Sequence, residues 1–312
     1  MPTEAFTDWE PRTPATRQML RDSLAVLEEY AEMGYSITIR QLYYQLVSRD
    51  LIPNNMQAYK RLINLMTNAR EGGWADWNAI VDRGRTPVKP ADWTGAGEIL
   101  NVASRQFRLD RWEGQEFHVE VWCEKDALSS VIEPICARYH VRFMANRGYS
   151  SATAMYDAAK RMEDAARRNQ WPIVIYLGDH DPSGMDMTRD VRDRLAMMAP
   201  DLIYDGVDID VVRLALNFDQ VQQYNPPANP AKLTDSRIVD YLTQYGRESW
   251  ELDALDPQVL DTLISTEIDR YLDRDKYEQV MAQEDEIKQQ IQTFANHHNG
   301  CICKNPYCVR RR

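Results

Sequence analysis

Cysteine, glycine, proline and long apolar runs are all scarce in this sequence. Five Cys among 312 residues are too few for a disulfide framework, which favours a reduced, cytoplasmic protein. Thirteen Gly and 15 Pro exclude a fibrous or low-complexity class. Because there is neither a run of about 18 apolar residues nor a basic and apolar leader, we expect no membrane span and no secretory signal. What is present is an ordinary globular composition, enough for about two domains.

Charge is unevenly distributed along the chain. The net charge of −11, taken alone, argues against a nucleic-acid binder. However, residues 240–290 contain 14 acidic and 5 basic side chains, whereas residues 40–70 contain five basic side chains and one acidic side chain. Contact with phosphates depends on a local patch. We therefore keep a DNA-binding surface as a hypothesis, with an ordinary solvated helix face as the alternative, and its candidates in this segment are Lys60, Arg61 and Arg70.

Helical patterns dominate the first 90 residues. Thr13-Pro14 and Thr38 are typical helix starts, and Asn54-Asn55 opens a third helix. The second and third predicted helices are joined by a short turn, as in a helix-turn-helix unit. Residues 74–85 read as a wing strand, so we predict a winged-helix domain over 1–90, followed by a connector over 91–115 that contains a further helix.

From residue 116 the pattern changes to strands alternating with helices. Apolar, β-branched runs separated by helical segments predict a parallel sheet with both faces covered, and we place this α/β domain at 116–225. Residues 225–232 read as a linker, 226–290 as an acidic helical part and 291–312 as a tail. The tail contains His297, His298 and three Cys, but their spacing is not a standard zinc pattern, and we favour a disordered tail.

Three carboxylates follow predicted strands. Glu124 comes at the end of the first strand of the sheet, and Asp179 and Asp181 come at the end of a later one. Parallel strands present their carboxyl ends at one edge, so these side chains are expected to converge there on Mg²⁺, with Mn²⁺ as a substitute. The alternative is that the two Asp are turn residues and that Glu124 caps the next helix.

Several neighbouring residues are weaker candidates. Asp186 lies in the first turn of a helix, where the helix dipole alone favours an acid. Arg147 precedes a helix start at Ser150 or Ser151 that suits a phosphate, although these serines read equally as plain caps. His180 lies between the two aspartates, and Glu251 and Asp253 are candidates for completing the metal site or for an acidic helix cap.

A pair of tyrosines occupies the second predicted helix. Tyr43 belongs to the apolar stripe of this helix, whereas Tyr44 shares its face with Arg40 and Ser48. We therefore expect Tyr44 to be the accessible phenol. A nearby guanidinium favours the phenolate and can hold a phosphate. From periodicity alone, a DNA-backbone contact or a packing role is the more ordinary interpretation of Tyr44.

Together these residues resemble a known family. Glu124 with the pair Asp179 and Asp181 is similar to the metal-binding motif of Toprim domains. The segment TIRQLYYQLV resembles the tyrosine-bearing motif in the winged-helix domain of the topoisomerase VI A subunit and of the meiotic double-strand-break protein. Residues 248–257 also resemble a segment that follows Toprim in that family, and the resemblance covers roughly 36–260.

The resemblance implies Mg²⁺-dependent cleavage of double-stranded DNA. Tyr44 would attack a backbone phosphate and stay joined to the 5′ end, with Arg40 beside it. Glu124, Asp179 and Asp181 would hold the metal, and Glu124 would relay a proton. A homodimer would share its sites between protomers and cut both strands. The sequence has no recognisable ATPase module, so strand passage would need a separate subunit.

Two further interpretations stay open. Some Toprim nucleases hydrolyse DNA with a metal-activated water and no tyrosine. A DNA-binding protein that has kept the fold without the activity is the third hypothesis.

Overall fold

The structure, a computed structural model, describes residues 5–81, 90–146, 150–200, 202, 206–231 and 238–299. The chain divides into two compact units. One comprises Met1–Gly84 with His118–Tyr271, and the other comprises Arg85–Phe117 with Leu272–Arg312. All candidate metal and tyrosine residues belong to the first unit.

Three helices open the first unit, namely α1 (Pro14–Glu32), α2 (Ile39–Ser48) and α3 (Met56–Glu71). Each begins after a residue whose side-chain oxygen accepts an N–H of the first helical turn, and these caps are Thr13, Thr38 and Asn55. The apolar faces of the three helices share one core. The three predicted helices are therefore confirmed.

The segment after α3 differs from the expected wing strand. Residues Trp77–Ala79 form a short 3₁₀ turn, and Ile80 makes a parallel β-bridge with Ile37. The rest of the expected wing, residues 82–89, lies outside the described residues. The winged-helix assignment of this domain stays a prediction.

A parallel sheet follows, with helices between its strands. The strands are β1 (Phe117–Cys123), β2 (Arg142–Ala145), β3 (Trp171–Leu177) and β4 (Asp210–Ala215), in the order β2-β1-β3-β4. The connecting helices are α5 (Ser129–Arg138), α6 (Ala152–Arg167) and α7 (Pro182–Met198). Strand β3 is buried from its second residue to its last, as expected when both faces of a sheet are covered. The predicted α/β fold is confirmed in this sheet.

Residues 225–232 are not a simple linker. After α8 (Phe218–Tyr224), residues Ala228–Pro230 form β5, which pairs antiparallel with β6 (Glu248–Trp250). Helix α9 (Ile238–Tyr245) precedes β6, and α10 (Pro257–Asp269) completes the unit. The prediction was wrong here because a proline-rich segment, although typical of a linker, can also form a short edge strand. This small ribbon brings Glu251 and Asp253 to the end of β3, through an isolated bridge between His180 and Trp250.

The second unit consists mainly of α4 (Ala96–Gln106) and α11 (Arg274–Asn299), which pack on each other. The segment predicted as a connector thus contributes a helix to this unit. Glu284 is fully buried and accepts hydrogen bonds from Arg111 and from the backbone N–H of Leu109, at 2.8 and 3.1 Å. The Cys residues of the tail lie outside the described residues. Across the described ranges, none of the helices combines the length and the apolar composition that crossing a bilayer requires.

Candidate metal centre and tyrosine pocket

The central two strands of the sheet bring the predicted carboxylates together. Strands β1 and β3 are neighbours, and the backbone N–H of Glu124 donates to the carbonyl of Leu177 at 2.8 Å. Glu124 Oε2 in turn accepts the backbone N–H of Asp179 at 2.9 Å. Asp181 lies close enough to raise the pKa of Glu124 by charge repulsion, after burial, which is the larger cause. All three carboxylates therefore lie at one edge of the sheet.

Two glycines make room for this arrangement. A Cβ at Gly178 would lie 2.9 Å from Glu124 Oε2, and a Cβ at Gly184 would meet the same oxygen at 3.1 Å and collide with the carbonyl of Asp179. Asp181 caps α7 by accepting the backbone N–H of Gly184 at 2.6 Å. The turn between β3 and α7 thus holds Glu124 in a cradle that any side chain at either glycine would fill.

A second group of carboxylates completes an acidic cluster, defined as Asp179, Glu251 and Asp253. One ligand oxygen from each lies within 4.8 Å of the others, so these residues could hold a metal ion. Glu251 and Asp253 come from the segment that follows β6, where Glu251 directly precedes the turn Leu252–Ala254 and Asp253 lies within it. The backbone N–H of Leu252 donates to Asp179 Oδ1 at 2.8 Å and fixes this turn against the end of β3.

Two basic side chains neutralise the acidic cluster. Lys125 Nζ lies 2.9 Å from Asp179 Oδ1 and 2.9 Å from Asp253 Oδ1, and it also contacts Glu251. Arg40 Nε lies 2.8 Å from Asp253 Oδ2, and a second nitrogen of this guanidinium pairs with Glu251. Since Arg40 belongs to α2, these ion pairs connect the helix of the tyrosines to the end of the sheet.

Burial and ion pairing oppose each other in setting the proton affinities of this centre. Burial raises the pKa of Asp179 to about 7, against the opposing effect of Lys125 and with the support of the neighbouring carboxylates. Burial alone would also raise the pKa of Glu251, but Lys125 and Arg40 outweigh it and hold that pKa below its ordinary value. The centre therefore contains one carboxyl group that titrates near neutrality and one that stays ionised.

Among the described residues, the carboxylates whose ligand oxygens lie close enough together for one ion are those of the acidic cluster, and the predicted triad of Glu124, Asp179 and Asp181 shares only Asp179 with it. Glu124 Oε1 and Asp179 Oδ2 accept no hydrogen bond from the described part of the chain, while the second oxygen of each carboxylate is fixed by a backbone N–H. Carboxylates pre-oriented in this way, with one oxygen free, match the few-carboxylate coordination typical of Mg²⁺. A metal ion bound by Asp179 or Glu251 would compete with the Lys125 ammonium for the same carboxylate oxygens.

Arg213 contacts the backbone of the turn that follows β3. It lies in β4, and its guanidinium donates to the carbonyls of Asp179 and Gly184 at 2.6 and 2.9 Å. Burial lowers the pKa of Arg213, although Glu124 and the aspartates raise it. A buried cation in these contacts both braces the turn after β3 and offsets part of the negative charge above it.

Tyr44 is buried, so the expectation that it is the accessible phenol was wrong. Its exposed fraction is 4%, and that of Tyr43 is 5%. Burial raises the pKa of Tyr44 to about 12, and Glu251 and Asp253 add to this effect while Arg40 opposes it. The guanidinium carbon of Arg40 lies 5.7 Å from the centre of the Tyr44 ring. Helical periodicity correctly placed Arg40 beside Tyr44 but could not reveal that β5 and the turn after β6 cover this face.

Tyr44 lines a cavity of about 340 Å³, here called the tyrosine pocket. Its walls include the three tyrosine rings of α2 and α3, the side chain of Asn229 from β5, and the ion pair of Arg40 with Glu251. The tyrosine pocket therefore adjoins the acidic cluster within the same chain.

The DNA-binding candidates that the structure describes all lie on α3. Lys60 and Arg61 are exposed on α3, as a phosphate contact requires. Arg70 is half-buried, and its guanidinium carbon lies 5.1 Å from the centre of the Trp77 ring. Arg147 lies outside the described residues. Ser151 caps α6 through the backbone N–H of Ala154, which is its plain structural role.

His180 faces away from the carboxylates. It is fully buried, and its Nδ1 lies 2.8 Å from the hydroxyl of Tyr241, which donates to the His180 carbonyl. Burial lowers the pKa of His180 to about 4, so this imidazole is neutral. A substrate contact for His180 is inconsistent with this burial. Asp186 forms an ion pair with Arg189 on the next turn of α7.

Sequence reasoning missed three residues of this centre, namely Lys125, Arg213 and Asn229. Lys125 directly follows Glu124 and its side chain is only 15% exposed, although a lysine after a strand gives no sign of burial. Arg213 did give a signal, because a charged residue within an apolar strand run needs a buried partner. Asn229 lies in the segment that was read as a linker. No protein-family model matches the sequence, and no curated protein matches it either.

Proposed function

We propose that this chain cleaves DNA in a metal-dependent reaction, with Tyr44 as the nucleophile that attacks a backbone phosphate. The observation that carries the proposal is the pair of ion pairs between Arg40 and the acidic cluster. They place a phenol, a guanidinium and the candidate metal ligands next to one another, although these residues are separated by up to about two hundred positions in sequence. Such a combination supports phosphoryl transfer better than either half would alone.

The chemistry assigned to this chain is a transesterification. Tyr44 Oη forms a bond to phosphorus, the bond from phosphorus to the 3′ oxygen breaks, and the protein becomes joined to the 5′ phosphate. The phenol proton passes to a carboxylate of the site, the role that the resemblance implies for Glu124, and the departing 3′ oxygen takes up a proton. Attack by the 3′ hydroxyl on the phosphotyrosine reverses the reaction and reseals the strand.

Glu124, Asp179 and Asp181 would hold Mg²⁺ or Mn²⁺, with Glu251 and Asp253 as neighbouring ligands. The metal would supply charge neutralisation at the phosphate and at the departing oxygen. Arg40 would hold a phosphate oxygen once it leaves Glu251, since a guanidinium binds phosphate and carboxylate in the same geometry. A homodimer that cuts both strands, and a separate ATPase subunit for strand passage, belong to this proposal as its partners.

Hydrolysis by a metal-activated water is the second candidate. The observation that favours it is the burial of Tyr44, since a phenol with a pKa of about 12 is a weak nucleophile at neutral pH. In that case Tyr44 and Arg40 would position the strand, and the product would carry a free 5′ phosphate.

Cleavage with end-labelled duplex DNA separates the candidates. DNA incubated with the protein and Mg²⁺ or Mn²⁺ is denatured and then analysed with and without protease. Protein attached to 5′ ends, lost in Tyr44→Phe and kept in the control Tyr156→Phe, which removes the hydroxyl of an exposed tyrosine on α6, is the expected result. Free 5′ phosphates with an active Tyr44→Phe would establish hydrolysis instead, and binding with no cleavage would reject both.

The metal ligands and the DNA surface have their own test. Glu124→Gln and Asp179→Asn should abolish cleavage and keep DNA binding, whereas Asp186→Asn should leave both unchanged. Lys60→Ala and Arg61→Ala should each reduce the slope of log affinity against log salt by about 1, because each removes one phosphate contact. Full cleavage in both metal-ligand variants, or unchanged salt slopes, would contradict these assignments.

A further inference from the structure

The tyrosine pocket is lined by aromatic side chains that suit a flat ring. The Tyr43 ring centre lies 5.3 Å from that of Tyr44, at an interplanar angle of 66°, and 5.1 Å from that of Tyr59, at 63°. Its volume of about 340 Å³ falls within the usual range for small-molecule sites. Steeply inclined aromatic rings offer both faces and edges, and stacking on such rings is the main way in which proteins hold unpaired bases.

A hydrogen-bonded chain orients one amide in this pocket. The hydroxyl of Tyr43 donates to Asn54 Oδ1 at 3.0 Å, and Asn54 Nδ2 donates to the carbonyl of Ala228 at 2.9 Å and to Asn229 Oδ1 at 3.1 Å. Both donors of Asn54 are therefore used, and they determine which way the Asn229 amide points.

Asn229 keeps unused hydrogen-bonding capacity. Its oxygen accepts one bond, from Asn54, and its nitrogen makes one long contact of 3.5 Å, to the hydroxyl of Tyr44. Within the described ranges this leaves one N–H and one lone pair of the amide available. A donor next to an acceptor on one amide is the pattern that binds the edge of a nucleobase.

The burial of Tyr44 limits which DNA structures can reach its hydroxyl. A phosphate can meet the Tyr44 hydroxyl only if its nucleotide enters the tyrosine pocket, because the side chain is covered elsewhere. The pocket volume of about 340 Å³ suits one small ring system with its attached groups. We infer that the tyrosine pocket binds a single unpaired nucleobase beside the phosphate that Tyr44 attacks, so that the preferred substrate is DNA with a locally unpaired position. This inference rests on the proposed function.

The test measures binding, so that it does not depend on cleavage. Affinities are determined in EDTA for a fully paired duplex and for the same duplex with one mismatched position. Extruding a base costs least where it is already unpaired. The wild-type protein should therefore prefer the mismatched duplex by about tenfold or more, because the mismatch lowers the cost of extruding the base that enters the pocket.

Variants connect this preference to the pocket. Tyr59→Ala should reduce it to less than about threefold through the loss of stacking, and Asn229→Leu should do so independently through the loss of the amide edge. Tyr156→Ala, which removes an exposed tyrosine on α6, is the matched control and should keep it. Thermal unfolding of each variant shows whether it is folded, and a folded variant of either pocket residue suffices for the test.

Equal affinity for paired and mismatched DNA, or a preference that survives in the folded pocket variants, would overturn the inference. Its failure is distinguishable from failure of the proposed function. Covalent 5′ adducts without any preference for unpaired positions would reject the pocket and keep the cleavage reaction. A preference that depends on Tyr59 and Asn229, without adducts, would keep the pocket and reject the reaction.

Discussion

The two sides of the turn after β3 differ sharply. On one side lie Asp179 and Asp181, beside Lys125 and the acidic cluster. On the other side His180 is packed among aromatic rings, here called the aromatic nest and made up of Phe218, Tyr241, Tyr245 and Trp250. The alternation of side chains in an extended segment explains the separation.

Burial acts on both sides, and the comparison shows how each side responds. It drives His180 toward its neutral form, with a pKa of about 4, and Asp179 toward its neutral form, with a pKa of about 7. The side chains of the aromatic nest are uncharged, and the His180 ring among them is neutral. The acidic cluster consists of carboxylates, and Lys125 and Arg40 are their positively charged partners. Carboxylates held next to lysine and arginine side chains, with one pKa strongly raised, are a reason to expect a function there.

Of the changes predicted for these two sides, removal of the Lys125 ammonium should alter the free energy of unfolding most. Lys125→Met leaves three carboxylates, of which Asp179 and Asp253 are buried, without their ammonium partner, and we expect a loss of about 3–5 kcal/mol in the free energy of unfolding. Urea denaturation in EDTA measures it. Mn²⁺ should restore part of the loss, since the ion replaces the missing positive charge. The exposed Lys60→Met should change stability by less than about 0.5 kcal/mol, and equal losses in the two variants would contradict the account.

Acid should affect the aromatic nest next most strongly. Between about pH 6.5 and pH 4 the unfolded chain binds a proton at His180 and the folded chain does not, so stability falls as the pH falls. Relative to His180→Phe, the wild type should lose about 3 kcal/mol more between pH 7 and pH 4. Denaturation at both pH values gives this difference. Parallel pH profiles for the two proteins would show that His180 is not held neutral.

The acidic cluster should respond to pH in the opposite direction and by a smaller amount. The folded protein keeps a proton on Asp179 up to about pH 7, whereas the unfolded chain has lost it, so this group lowers stability as the pH rises through that range. Relative to Asp179→Asn, the wild type should lose about 2 kcal/mol from pH 5 to pH 8 in EDTA. A wild type that gains stability relative to the variant over this interval would be inconsistent with the raised pKa.

The sequence predicted the framework of this molecule well and its covered surfaces poorly. Capping residues such as Thr38 and apolar runs such as that of β3 are local signals, and the helices and strands that they predict are confirmed. Glu124 and Asp179 could be placed at one edge because parallel neighbouring strands end together. These inferences use only the period of side chains and the topology of alternating strands and helices.

The remaining features depend on contacts between distant segments. The burial of Tyr44 results from β5 and the turn after β6, nearly two hundred residues away, and no periodicity within α2 reports them. The capture of Arg40 and Lys125 by Glu251 and Asp253 has the same origin. Short segments rich in proline, such as 225–232, carry too little pattern to show that they pair.

The most direct test of the account is a titration of the protein with Mn²⁺, followed by calorimetry and by the electron spin resonance of the ion. The account predicts one divalent-ion site that is lost in Glu124→Gln and in Asp179→Asn and is retained in Asp186→Asn. Absence of Mn²⁺ binding, or the same affinity in all four proteins, would contradict the claim that these carboxylates form a metal centre beside Tyr44.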